Sequence, residues 1–430
     1  MKLLAFGLLC TVTACGTVRH TAVVKPPVAR VPPPQKLVME PIRLQAVPAP
    51  DGGEVQVKVV DAAGLFERGG QLLSAKKYAA AIKVYDQLLT TFPHSRFISP
   101  ALYNTGLCHE WLGQFQQAAG RYQEMIRQFG QTKEAVDAGF RLGGCYAELQ
   151  NWASSAQVFQ VLLARRDLGA SDRIEACTRK GLAHFRMGDT RACKSTLEEG
   201  IKYYKSVEAM ERLDNDFFLA MAHYYLAAVP HVEFRKLTVD ASKSAELGHT
   251  LDEKARLLLV SQARYIRTIK VKNPYWAAAS GFQIGSLYRE FYSTLLTALP
   301  DFTRQARRNA RLAKISQEAA HKQLVRVYME EVHKAVKPLL HKAIRVFEKN
   351  VEMGERVGVQ SNWVSKSRQQ IQDLKHLLSL SPGEAVDRVH TDTTLPEDVQ
   401  PPTHPSTRPA KTPVQNPPRE DPDEPGRVVL

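Results

Sequence analysis

The chain has 430 residues, 44% of them hydrophobic, and 58 Lys and Arg against 44 Asp and Glu give it a formal charge of +14. That much apolar material supports a large folded core, and the charge points to acidic partners. The six cysteines form no CxxC pair or other metal-ligand spacing, and HExxH, GxSxG and P-loop motifs are absent, so no metal, cofactor or catalytic constellation is expected.

The chain opens with MKLLAFGLLCTVTAC: a lysine, an apolar run and a cysteine. The run falls short of the roughly 20 apolar residues that cross a bilayer and suits the core of an export signal. Val12-Thr13-Ala14-Cys15 resembles a bacterial lipobox, in which small residues let a signal peptidase reach the bond before a cysteine that becomes lipid-modified. The resemblance implies lipidation of Cys15 at the end of a signal spanning 1–15. With Gly16 rather than Asp following, it implies attachment to the outer membrane, facing the periplasm. Residues 16–58 carry eight prolines and show no helical or strand period, so an extended tether is expected. At ~3.1 Å per residue such a tether reaches on the order of 100 Å.

From there to about residue 250 one unit recurs. Gly69, Gly106 and Gly143 stand 37 residues apart. Each is followed at fixed offsets by an aromatic (Tyr78, Phe115, Trp152), a small residue (Ala81, Ala118, Ser155), a second aromatic (Tyr85, Tyr122, Phe159) and an apolar pair. A period in the thirties with two helix-length apolar patterns marks stacked helical hairpins, whose glycine and alanine sit where the helices cross. These positions resemble the tetratricopeptide repeat (TPR) family, although Leu65, Leu102 and Gly139 stand where that family has tryptophan. The implied fold class is an all-α TPR-type solenoid, with about five repeats over 59–250. Gly181 opens a fourth copy, with Cys177 and Cys193 in facing slots, where burial as free thiols is favoured over a disulfide. Phe217 to Ala228 opens a fifth, which Pro230 is expected to interrupt before a helix near 236–247 completes the hairpin.

Over 251–380 the helices lengthen. Leu257, Leu258, Val260, Ala263 and Ile266 follow helical spacing, and another helix begins after Asn273-Pro274. Gly285 resembles a repeat glycine, but the matching second helix, Ala343 to Phe347, begins 58 residues later. This predicts an insertion of about 45 residues, with one long helix from Gln317 to Gly354. Within 251–380, 23 Lys and Arg face 11 Asp and Glu, and Arg304, Arg307, Arg308 and Arg311 form one basic stripe at i, i+3, i+4, i+7. The last 50 residues, 381–430, contain 11 prolines and no aromatic, which predicts a disordered tail.

In the TPR family the offset three residues before the glycine faces a peptide groove, which implies partner anchors at Phe66, Tyr103 and Phe140, with Leu107, Glu110 and Trp111 one turn along. The arginine stripe suits anionic lipid, acidic cell-wall polymer or acidic protein, and export makes nucleic acid an unsuitable partner. The expected function is a non-enzymatic scaffold. The layout is similar to TPR lipoproteins of envelope machines, such as those of gliding motility or outer-membrane assembly. The alternative is a cell-wall-binding protein or a presenter of a peptidoglycan hydrolase.

Overall fold

A computed structural model describes residues 41–47, 56–208, 216–240, 244–358 and 361–391. The first described segment corrects the expected tether. Strands β1 (Ile42–Val47) and β2 (Gln56–Asp61) pair antiparallel, with Ile42 opposite Asp61 and Val47 opposite Gln56. Both strands alternate, yet the apolar face bearing Ile42, Leu44, Val57 and Val59 is exposed, and Val60 on the other face packs on the helices. Asp61 then caps helix α1 (Ala62–Ser74), its carboxylate accepting from Gly64 N at 2.5 Å.

Helices α1 and α2 (Tyr78–Thr91), α3 (Ile98–Trp111) and α4 (Phe115–Phe129), α5 (Glu134–Glu148) and α6 (Trp152–Leu163), and α7 (Ala170–Arg186) and α8 (Thr190–Val207) pair as successive hairpins. The first three hairpins are keyed by the same contact, and in the fourth Leu197 takes the place of the ring against Gly181. A Cβ added at Gly69 would lie 2.5 Å from the Tyr85 ring, at Gly106 2.6 Å from Tyr122, and at Gly143 2.5 Å from Phe159. The missing side chain is therefore what admits the aromatic, and the stacked contacts make an all-α solenoid. Cys108, Cys145, Cys177 and Cys193 are buried free thiols. The slot facing Cys177 belongs to Gly200, whose Cβ would meet the cysteine Cβ at 2.8 Å. Cys193, two turns away along α8, does not face Cys177.

The fifth hairpin departs from its expected form. Helix α9 (Asp216–Lys236) continues through Pro230 and pairs with the long α10 (Ser244–Lys270). Proline has no N–H for the carbonyl four residues back. That oxygen, on Leu226, accepts from Arg264 Nη1 at 2.8 Å instead. The buried face of α10 runs through Leu257, Leu258, Ser261, Tyr265 and Thr268, so Ile266 points outward at 39% exposure.

Helix α11 (Pro274–Thr297) begins with Asn273 capping Trp276 N at 3.2 Å and proline in the first turn. It packs against α13 (Gln317–Val357), and a Cβ on Gly285 would lie 2.5 Å from Phe347, the same key as in the first three hairpins. The chain between them contributes α12 (Thr303–Ala313), which lies on α13. Beyond α14 (Asn362–Ser379) the expected disordered tail is corrected over residues 382–391. They form α15 (Pro382–Thr391), which buries Ala385 and Val386 in the C-terminal core. The rest of the tail, the signal and Cys15 lie outside the described residues.

One polar cluster is sealed inside that core. Arg235 grips Glu290 through two hydrogen bonds, of 2.7 and 2.9 Å. His231, fully buried, lies 3.4 Å from Glu290 and 3.1 Å from the Tyr265 hydroxyl. Burial alone would raise the Glu290 carboxyl, but His231 and Arg235 outweigh it and hold it down at about 2. Burial also holds the His231 ring below its ordinary value.

Candidate binding surfaces

The ring ladder expected to line a groove is core. Phe66 is 2% exposed, with its ring centroid 5.9 Å from Tyr85 and 5.1 Å from Phe97. Tyr103 lies 5.9 Å from Tyr122 and Phe140 5.9 Å from Phe159, both buried, as is Leu107. The reason lies in helix geometry: a residue three before the glycine shares its face. That face looks into the hairpin, so these four side chains are not available as anchors.

Glu110 is likewise engaged. It accepts from Tyr122 Oη at 2.6 Å and from Arg141 at 3.1 Å, and Arg141 Nε donates to Tyr103 Oη at 2.8 Å. Burial pushes the Glu110 carboxyl up, against these partners. The network clamps α3 and α4 to α5. Arg141 lies 31 residues from Glu110 with no local pattern to announce it.

Of the six expected groove residues, Trp111 alone is well exposed, at 61%. Its indole stacks on the half-buried Tyr78 ring at 6.1 Å and 8°. A flat, amphipathic ring pair fixed on two rigid helices loses little conformational freedom on contact, the property that makes such rings binding hot spots. A second apolar feature, which the sequence did not reveal, is a hollow of about 730 Å³ between α4, α5 and α6. Gly139 gives its floor no side chain, Val161 stands on its edge, and Arg165 pins one wall by donating to the Gly130 carbonyl at 2.5 Å.

On α12 the arginine stripe is displayed as expected. Arg304, Arg307, Arg308 and Arg311 are exposed, and among the described residues none of the four makes an ion pair. Ala306 on the opposite face is fully buried, and Leu312, 74% exposed, stands beside the cations. The insertion is anchored where the Tyr328 hydroxyl donates to the Ala298 carbonyl at 3.0 Å and its ring meets Phe302 at 5.5 Å.

The Glu290–His231–Tyr265 chain is sealed in the core, and His333 is buried against Tyr292. Among the described residues no three His, Cys, Asp or Glu side chains gather as a metal site, and no helix is long and apolar enough to cross a membrane.

Residues 112–170, from the second helix of the second hairpin through the third hairpin, match the tetratricopeptide repeat family model. Among solved structures, the C-terminal part of a TPR repeat-containing protein from Cytophaga hutchinsonii is 14% identical, covering 75% of this chain and 98% of that one, with a TM-score of 0.36. A tetratricopeptide repeat protein from Parabacteroides merdae is 12% identical over 73% of this chain and 98% of that one, with a TM-score of 0.34. MamA from Desulfovibrio magneticus is 13% identical over 47% of this chain and 97% of that one, with a TM-score of 0.32. No curated protein matches the chain.

Proposed function

We propose that the chain is a non-enzymatic scaffold lipoprotein, held at the outer membrane through Cys15 and facing the periplasm, whose repeats bind protein components of an envelope machine of the gliding-motility or outer-membrane-assembly kind. TPR repeats suit protein partners. The observation that carries the reading is the exposed Trp111 stacked on Tyr78, a preorganised anchor on stacked hairpins whose Phe66, Tyr103 and Phe140 rings are consumed in the core. The unpaired arginines of α12 add attraction for an acidic protein, anionic lipid or cell-wall polymer, acting within about 10 Å at 0.1 M salt.

The test is crosslinked purification from membranes, comparing the wild type with Trp111→Ala and with Cys15→Ala. Wild-type protein recovers barrel, motor or pilus components. Trp111→Ala loses them at least tenfold at unchanged melting temperature, the scale of a hot-spot truncation of about 2 kcal/mol. Cys15→Ala leaves the membrane fraction. Recovery of glycan fragments in place of proteins overturns the scaffold reading in favour of a cell-wall binder. Retention of Cys15→Ala in the outer membrane, with lipid label still present, removes the anchor.

A further inference from the structure

A hollow of about 340 Å³ opens between α8, α9 and α10, far along the chain from the ring pair. Its polar lining is Glu198, Lys202, Lys205, His223, Arg264 and Arg267, with Ile201 and Leu226 as its apolar part. Helical registers bring these groups together. On α8 the positions 198, 201, 202 and 205 form one stripe, on α9 223 and 226 are one turn apart, and on α10 264 and 267 are one turn apart. Four permanent cations thus share the space with one carboxylate. Among the described residues, Lys202, Lys205 and Arg267 have no ion-pair partner.

Two further features distinguish this place from an ordinary basic surface. Arg264 is half-buried and fixed, because its Nη1 satisfies the Leu226 carbonyl that Pro230 leaves without a helical donor. A guanidinium carries five N–H groups, and the others of Arg264 have no protein acceptor among the described residues. His223 is half-buried at the centre, where burial, reinforced by repulsion from Lys205 and Arg267, holds its imidazole down at about 4. It is therefore neutral near pH 7, able to hydrogen-bond a ligand without adding charge. The cations repel one another across a partly desolvated space, and an anion seated there relieves that repulsion.

We infer that the hollow between α8, α9 and α10 is a binding site for a phosphate group, carried as a phosphomonoester or a diphosphate. Charge selects phosphate over carboxylate. The lining carries a formal +3, four cations against Glu198, and a phosphomonoester brings about −1.5 to −2 at pH 7 where a carboxylate brings one charge. Arginine forks match phosphate oxygens in pairs, and lysines supply point charge beside them. The volume lies near the lower end of small-molecule sites, roughly 300 Å³, so it suits a phosphate with a sugar-sized body. The inference does not depend on the scaffold reading and stands or falls separately.

The phosphate can belong to a soluble ester or to a lipid head group, so the experiment has two arms. The full-length protein is titrated with inorganic pyrophosphate, against chloride at matched ionic strength, while the His223 imidazole is followed by NMR. In parallel it is mixed with phosphatidic acid and with phosphatidylcholine vesicles. The key variant is Lys205→Gln/Arg267→Gln, at two exposed positions, with the four α12 arginines changed to Gln as the control for diffuse electrostatics. Saturable pyrophosphate binding is expected. It raises the His223 pKa by about a unit or more, weakens at least tenfold in the double variant and is unchanged in the α12 variant. Without ligand, the double variant itself shifts His223 upward, toward about 6.5. Binding to phosphatidic acid vesicles, whose head group is a phosphomonoester, that depends on Lys205 and Arg267, with no pyrophosphate binding, assigns the phosphate to a lipid. The inference is overturned if neither probe binds saturably, if the double variant binds both as well as the wild type, or if chloride reproduces the His223 shift.

Discussion

Replacing Gly106 with alanine tests the packing key of the solenoid directly. In an exposed helix interior, glycine to alanine stabilises by about 1 kcal/mol through backbone entropy. Gly120 is such a position: it lies within α4, exposed, and a Cβ there meets nothing within 4 Å. At Gly106 the same methyl would lie 2.6 Å from the Tyr122 ring. Tyr122 is fully buried, and its hydroxyl is tied to Glu110 at 2.6 Å, so the ring has no room to retreat without giving up that bond. Overpacking costs about 1–3 kcal/mol, and a hydrogen bond to a charged group adds about 1.5–3 kcal/mol if it breaks. With that bond broken and the helical gain set against the cost, Gly106→Ala should lose roughly 1.5–5 kcal/mol while Gly120→Ala gains up to about 1 kcal/mol. Urea unfolding, followed by far-ultraviolet circular dichroism on both variants, measures the difference. A Gly106→Ala protein as stable as the wild type would refute the close-approach explanation of the repeat.

Phe140→Ala should lower stability by about 3–5 kcal/mol, as emptying a buried aromatic site does, with chemical denaturation as the readout; a variant that melts normally but loses a partner would restore the ring to a groove. Acid should weaken the C-terminal core. Glu290 is held at about 2, so its contribution is complete above about 4.5 and is lost as pH falls between those values, while His231, kept neutral, begins to oppose folding below about 6.5. Glu290→Gln should cost about 3 kcal/mol at pH 7 and flatten the acid limb of a pH–stability curve. Burial pushes the Cys108 and Cys193 thiols up to about 12 and Cys177 to about 11, and raises Cys145 as well. Mass-spectrometric alkylation should therefore leave all four unlabelled until denaturant is added, and rapid native labelling of any of them would contradict the packing. Changing Arg304, Arg307, Arg308 and Arg311 to Gln should leave melting unchanged and flatten the salt dependence of partner association, measured across a salt series.

The first three hairpins are legible because each is specified by a small residue and an aromatic at fixed spacing, and this key survives even across the insertion, from Gly285 to Phe347. Helix α9 is not, because Pro230 is a local stop signal and the group that overrides it, Arg264, arrives from another helix. The β-hairpin was hidden by inversion: its alternation is present, but the apolar residues face outward and the surrounding prolines suggest a tether. In α10 polar Ser261 and Thr268 lie inside and Ile266 outside, which no apolar count predicts. At the candidate sites, Trp111 stands outward as its offset implies, whereas the i, i+3 relation of Phe66, Tyr103 and Phe140 to the glycines puts them on the inner stripe. Arg141 and the five charged groups around His223 come from separate helices and share no sequence signature.

The insertion between α11 and α13 also sets an order of events during synthesis. In the first three hairpins the key residues, such as Gly69 and Tyr85, are 16 apart in the chain, whereas Gly285 and Phe347 are 62 apart. Closing the longer span costs about 1.2 kcal/mol more in chain entropy, a modest equilibrium penalty. The delay matters more. At about 5–20 residues per second, roughly 2–10 s separate the emergence of α11 from that of its partner segment near Ala343. Throughout that interval α10 can cover one side of α11, while Phe282 and Leu287, destined for burial in the C-terminal core, await α13. The C-terminal third of this chain thus has a nascent state with a sticky helix and no local means of hiding it, and translation speed or a holding chaperone bears on its yield more than on its final stability.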